Sequence, residues 1–181
     1  VPQIPEEAVQ QAISQVLKPT AKGMVAEKRP FQGILYAGLI QTATGPKVIE
    51  FNARFGDPET QVVLARLESP LSEIISSLLV KEQPTIAWNE LASVGVVVAA
   101  EGYPNQYKTN LPLPEMSGET IYYAGVTRSE QALVSAGGRI FLAEATASTL
   151  EEARKKVYQT LDNYSFPGMY YRKDIGVKGL I

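Results

Sequence analysis

The 181-residue chain contains no cysteine and no histidine. Without thiols it has no disulfide framework and no thiolate nucleophile, which fits a reducing compartment such as the cytoplasm. Without imidazole the commonest general base and metal ligand is gone. Any chemistry therefore runs on carboxylates, amides, Arg, Lys and the backbone. Excess charge of one sign is lacking too: 17 Lys and Arg against 19 Asp and Glu leave a net charge of −2. The basic residues are scattered, without the clustering that marks a nucleic-acid or membrane footprint. The longest apolar run, Val94 to Ala100, is far short of the roughly 20 residues that span a bilayer, and no signal-peptide pattern opens the chain. The expectations are a cytoplasmic location, no nucleic-acid partner and no membrane. What is present, 45% hydrophobic and 20% charged residues, is the make-up of an ordinary globular protein with a real core.

The stretch Val48 to Gln61, Val-Ile-Glu-Phe-Asn-Ala-Arg-Phe-Gly-Asp-Pro-Glu-Thr-Gln, places Glu50, Asn52, Arg54, Asp57 and Glu59 behind a short apolar run. Side chains alternate along a strand, so Val48, Glu50 and Asn52 are predicted on one face and Ile49 and Phe51 on the other. A carboxylate and an amide oxygen two residues apart suit a hard cation such as Mg²⁺, which takes one or two protein oxygens and fills its other places with phosphate and water. Arg54 continues the face with a planar fork that matches phosphate or carboxylate oxygens. Gly56-Asp57-Pro58 reads as a turn, with Pro58 opening a helix and Glu59 in its first turn. The competing interpretation of the stretch is a solvated hairpin edge with a helix cap.

In chain order, Pro5 with Glu6 and Glu7 behind it predicts a helix start. Val9, Ile13, Val16 and Leu17 form one apolar stripe, and Lys18-Pro19-Thr20 is predicted to end the helix, leaving room for a short second one through Ala21 to Lys28. Phe31 to Gln41 and Lys47 to Asn52 are predicted to pair as a hairpin across the five-residue loop Thr42 to Pro46. Thr60 to Leu67 and Leu71 to Val80 read as helices, the second with Leu71, Ile74, Ile75, Leu78 and Leu79 as a core stripe. Beyond Lys81-Glu82-Gln83-Pro84 the pattern turns to strands at Ser93 to Ala100, Thr120 to Thr127 and Arg139 to Ala147. A last helix follows, capped by Thr149, with Ala153, Val157, Thr160 and Leu161 on its buried face. Gly137-Gly138 before Arg139 exposes backbone N–H groups to which a phosphate or nucleotide could come close, or else forms a tight turn.

Leu35-Tyr36-Ala37-Gly38-Leu39 and Gly45 through Gln61 resemble the phosphoribosylamine–glycine ligase (glycinamide ribonucleotide synthetase) family of ATP-grasp enzymes. Gly102-Tyr103-Pro104, Gly125, Gly137-Gly138-Arg139 and Tyr171 to Gly176 resemble the same family's C-terminal domain. The implied fold class is α+β, with residues 1–83 as the C-terminal part of an ATP-grasp domain and 84–181 as a small strand-rich α+β domain. The implied reaction is ATP-dependent ligation of glycine to 5-phosphoribosylamine through glycyl phosphate, a step of purine biosynthesis. On this resemblance Glu50 and Asn52 hold Mg²⁺ or Mn²⁺ and Arg54 steadies the transferring phosphoryl. Gly138 and Arg139 join Glu50, Asn52 and Arg54 as nucleotide contacts. Asp57 is a second catalytic candidate, and for it and Glu59 the roles of orienting Arg54, receiving the glycine amine or capping a helix stay open. Tyr171 to Gly176 is expected to dock as a strand and turn, with Arg172 and Asp174 as surface partners.

Three positions depart from the family's usual pattern: Asn105 follows Pro104 where glycine is usual, Thr109-Asn110 stands for Lys-Gly, and Tyr123 stands for a histidine. The chain also opens at Val1 without methionine. Against this family it is expected to be a fragment whose N-terminal lobes, which clasp the nucleotide, belong to the same polypeptide, and to be inactive alone. Another ATP-grasp carboxylate–amine ligase and a non-catalytic nucleotide-binding or interaction module are the alternatives.

Overall fold

A computed structural model describes residues 4–116, 120–130 and 132–180. The chain divides into two compact units, Val1–Asp57 with Leu67–Trp88, and Pro58–Arg66 with Asn89–Ile181.

In the first unit, Pro5 is the extended N-cap, and its carbonyl accepts from the N–H groups of Ala8 and Val9. Helix α1 (Glu6–Ala12) runs into a π-helical turn, Ile13–Leu17, and on into α2 (Lys18–Ala26). The expected break at Lys18-Pro19-Thr20 does not occur. Proline lacks an N–H and its ring crowds the carbonyl four residues back. Here the turn ahead of it widens, and the Lys18 N–H reaches the Ile13 carbonyl five residues back. A π-bulge of this kind lets a helix absorb a local insult and continue. Of the predicted stripe only Val16 is fully buried, while Val9 is 38% exposed.

Strands β1 (Tyr36–Thr42) and β2 (Gly45–Asn52) form the antiparallel hairpin. Its loop is two residues, not five, because Thr42 builds the turn with its own side chain. The Thr42 hydroxyl accepts from the Thr44 N–H at 3.2 Å and donates to the Gly45 carbonyl at 2.8 Å. Helix α4 (Leu71–Leu79) forms at its predicted place, but of its stripe only Ile74 is fully buried, and Ile75 and Leu79 are exposed.

The second unit is built on a four-stranded antiparallel sheet in the order β4-β7-β3-β8. Strands β3 (Ala92–Ala100) and β7 (Arg139–Ala147) lie at its centre, flanked by β4 (Thr120–Tyr123) and β8 (Met169–Tyr170). The strand expected over Thr120 to Thr127 is divided at Ala124-Gly125, and its second half, β5 (Val126–Arg128), pairs instead with β6 (Leu133–Ser135). Helix α5 (Leu150–Asn163) begins at the Thr149 cap, whose hydroxyl accepts from the Glu152 N–H at 3.2 Å. Its Ala153, Val157, Thr160 and Leu161 are buried as their spacing requires. Ala153, Val157 and Leu161 pack with Val94, Val96 and Val98 of β3 and Phe141 and Ala143 of β7 in one core. Helix α3 (Glu59–Leu64) also packs on β3, bringing Val62 to Gly95.

The segment after β8 docks on α5 through a turn, and the strand expected over Tyr171 to Gly176 does not form, since β8 ends at Tyr170. Tyr158 donates to the Arg172 carbonyl at 2.7 Å, and Arg154 donates to the carbonyls of Lys173 and Ile175 at 2.7 and 3.0 Å. Arg172 and Asp174 form a two-pronged pair at 2.9 and 2.6 Å on the surface.

Candidate functional site

Strand β2 delivers the first two groups. Asn52 Nδ2 donates to Glu50 Oε1 at 3.1 Å, so the amide and the carboxylate lie side by side on one face. The register places Gly38 opposite Glu50 and Leu39 opposite Val48, which leaves Ile49 as the extra residue of a β-bulge. Two consecutive residues then oppose one, and the alternation of faces shifts by one position. The expected grouping of Val48 with Glu50 and Asn52 is thereby corrected. By pairing, Val48 falls on the face of Phe51, and Lys47 falls on the face of Glu50 and Asn52. Glycine inside a strand pattern is the sequence signal of such an irregularity, and Gly38 supplied it.

The pair fits a hard cation. A half-turn of the Asn52 amide exchanges its nitrogen and oxygen, an assignment that hydrogen-bond partners decide, and brings Oδ1 to the same place beside Oε1. Two oxygens about 2.9 Å apart form one edge of a magnesium octahedron, close to the 3.1 Å separation here. Among the described residues no three Asp, Glu, His or Cys side chains gather into a metal cage. An ion on this pair would complete its shell with phosphate oxygens and water.

The strand ends at Asn52, and Arg54 lies in the bend beyond it, exposed, with Nη1 donating to the Phe55 carbonyl at 2.9 Å. That bond fixes one arm of the fork. Asp57 is exposed at the end of the same unit. Pro58 is the N-cap of α3 with Glu59 in the first turn, where a carboxylate favours the helix.

Gly138 and Arg139 belong to the other compact unit. The ring of Tyr103 occupies the space over Gly138, with Tyr107 Cε1 3.1 Å from where a β-carbon would sit. The Gly138 carbonyl accepts from Ala100 at 2.7 Å, and the Gly137 N–H donates to Gly125. Packing and sheet pairing thus account for the glycine pair as a tight turn. Tyr103 and Tyr107 meet edge to face at 5.9 Å, and the aromatic cover over the turn had no signal in the spacing of the glycines.

One departure has a structural explanation, that at Asn110. Asn110 takes φ of +60°, the left-handed region in which asparagine replaces glycine at least cost. The Asn105 N–H closes a turn onto the Gly102 carbonyl at 2.9 Å. Tyr123 is exposed at the end of β4.

Glu144 is a buried ionisable group of the second unit, 7% exposed in β7, and its Oε1 accepts from the Ser93 hydroxyl at 2.8 Å. Burial pushes its carboxyl above the usual range, and the Ser93 bond offsets part of that.

Residues 1–60 match the family model for the phosphoribosylglycinamide synthetase ATP-grasp (A) domain, and residues 93–178 match that for the C domain of the same enzyme. The phosphoribosylamine–glycine ligases of Halalkalibacterium halodurans and Lactococcus lactis are 50% and 49% identical over 99% and 98% of this chain. The crystal structure of the Thermotoga maritima phosphoribosylamine–glycine ligase superposes with a TM-score of 0.86 and 30% identity over 96% of this chain. The chain spans 43% and 44% of the length of the two curated relatives and 44% of the crystallised one. With two family models in sequence order and half of its residues shared with curated ligases, this chain belongs to the phosphoribosylamine–glycine ligase family of ATP-grasp enzymes.

Proposed function

We propose that the protein bearing this chain ligates glycine to 5-phosphoribosylamine at the expense of ATP, in the cytoplasm, as a step of purine biosynthesis. The glycine carboxylate attacks the γ-phosphorus of ATP, giving glycyl phosphate and ADP. The amine of 5-phosphoribosylamine then attacks the glycyl carbonyl, giving glycinamide ribonucleotide and phosphate. Phosphoryl and acyl transfer depend on positioning and charge neutralisation more than on a proton-shuttling base, which suits a chain without His or Cys. The observation that carries the reading is the Glu50–Asn52 pair at 3.1 Å on the ligating face of β2. These two side chains would hold Mg²⁺ or Mn²⁺, which when bound neutralises phosphate charge. Arg54 steadies the transferring phosphoryl with the arm of its guanidinium not tied to Phe55, and Asp57 is a second-rank catalytic candidate.

Gly138 and Arg139 lie in the second compact unit and are not counted in the site built on β2. We keep the domain boundary at residues 83/84 as a division of the sequence, although residues 58–66 cluster with the second compact unit and 84–88 with the first, and we place the groups that clasp the nucleotide in the part of the relatives' length that these 181 residues do not span. The test is ADP release coupled to a reporter, with glycine and 5-phosphoribosylamine, on the full-length protein and its Glu50→Gln variant. Turnover should fall at least 100-fold, about 3 kcal/mol of lost transition-state stabilisation, with melting temperature unchanged. Activity within twofold of the parent at saturating Mg²⁺ would refute the assignment of Glu50.

A further inference from the structure

Gly38 sits in the middle of β1, where glycine costs stability relative to alanine. Its backbone does not require glycine, since it is absent from the residues with positive φ. A β-carbon built on it would meet Glu50 Cγ at 3.1 Å, the Glu50 carbonyl oxygen at 3.7 Å and the Glu50 nitrogen at 3.9 Å, and these are its three nearest neighbours. Glu50 is thus the nearest neighbour of the space left by the missing side chain. The Ile49 bulge sets Glu50 directly opposite Gly38, and from that position its carboxylate reaches the Asn52 amide.

We propose that Gly38 is a positioning residue. By having no side chain it lets the Glu50 stem lean across β1, and this holds the carboxylate beside Asn52 in the geometry that a divalent cation on nucleotide phosphates requires. A methyl group at position 38 would sit 3.1 Å from Glu50 Cγ, inside ordinary contact distance, so the Glu50 stem must give way and its carboxylate is displaced from the Asn52 amide. The purpose of this placement rests on the metal reading given above, whereas the placement itself does not.

Two measurements on Gly38→Ala test it. In residues 1–181 without metal, three-bond NMR couplings report the χ1 rotamer of Glu50, and Gly38→Ala should shift its dominant population. In the full-length protein with ATP, uptake of Mn²⁺ by the protein is followed by enhancement of the water-proton relaxation rate over that of free Mn·ATP for the parent, Gly38→Ala, Glu50→Gln and the double variant. Gly38→Ala should weaken uptake at least fivefold in the parent and leave it unchanged in the Glu50→Gln background, because a residue acting only through Glu50 has nothing further to lose. An unmoved Glu50 rotamer overturns the proposal, as does an equal loss of Mn²⁺ uptake in both backgrounds. A parent protein that takes up no Mn²⁺, with the Glu50 rotamer shifted by Gly38→Ala, instead sinks the metal reading and supports Gly38 as the residue that places Glu50.

Discussion

Arg54 offers a planar fork, one arm of which is held by the Phe55 carbonyl at 2.9 Å. Lysine in its place keeps the charge and loses both the fork and that anchor. In the full-length protein Arg54→Lys should lower turnover by about tenfold or more with little change in nucleotide affinity. Steady-state kinetics alongside nucleotide titration separates the two, and a loss of affinity with turnover intact would move Arg54 to ground-state binding. Glu144 gives a second outcome at this scale. Its folded carboxyl titrates above the ordinary value of 4.5, chiefly through burial, so the folded state favours the protonated form. The cost of ionising it is absent below about pH 4.5, sets in as the pH rises from there, and persists at neutral pH. Glu144→Gln keeps an oxygen for the Ser93 hydroxyl and removes the charge. It should raise the urea midpoint at pH 7.5 and leave it nearly unchanged at pH 4, and a midpoint unchanged at both pH values would contradict this account. The placing of Glu50 and Asn52 on one face of β2 was legible because alternating polar types on a strand name a face. The facing of Val48 and Lys47 was not, since it depends on where the backbone slips register, and only Gly38 hinted at that slip.

Elements emerged from the sequence where one periodicity ruled. Strand β7 and helix α5 lie where their patterns place them, because both are buried by the same core and their apolar spacing has one solution. The first helix was misread at Pro19, since the widened turn that carries it past the ring depends on main-chain geometry, which residue types do not display. The hairpin loop shrank because Thr42 does the work of backbone groups. Helix α4 shows the opposite failure. Its apolar stripe is real, yet Ile75 and Leu79 within it are exposed, and a period alone does not name what covers a face. The start of α5 affords a direct measurement. Thr149→Ala removes the acceptor for the Glu152 N–H and should cost about 1 kcal/mol. Urea denaturation of residues 1–181 reads this cost, and Thr149→Ser should restore most of it. Equal stability of all three would mean that solvent caps the helix as well as the hydroxyl does.

At the scale of the molecule, the two units differ in what they bury, and among the described apolar residues of the first only Ala8, Val16 and Ile74 are buried. Val94, Val96, Val98, Phe141 and Leu161 close one core in the second unit, and the first pairs a two-stranded hairpin with helices. Catalysis asks for more. The Glu50–Asn52 pair and Arg54 can present oxygens and a fork to the phosphates, but they lie on an exposed hairpin. Phosphoryl transfer needs the nucleotide fixed from both sides and water kept away from an acyl phosphate. The hairpin also leaves Ile40, Ile49 and Phe51 exposed at 53%, 68% and 42%, a concentration of apolar surface that favours association. Residues 1–181, expressed alone, should therefore fold with a cooperative transition, bind Mg·ATP weakly, show a concentration-dependent tendency to associate and release no ADP in response to glycine and 5-phosphoribosylamine. Calorimetry, sedimentation velocity and the coupled assay read these in turn. Substrate-dependent ADP release near the rate of the full-length protein would show that the whole machinery lies within these residues, and the assignment of the nucleotide-clasping groups to the remaining length of the relatives would fall.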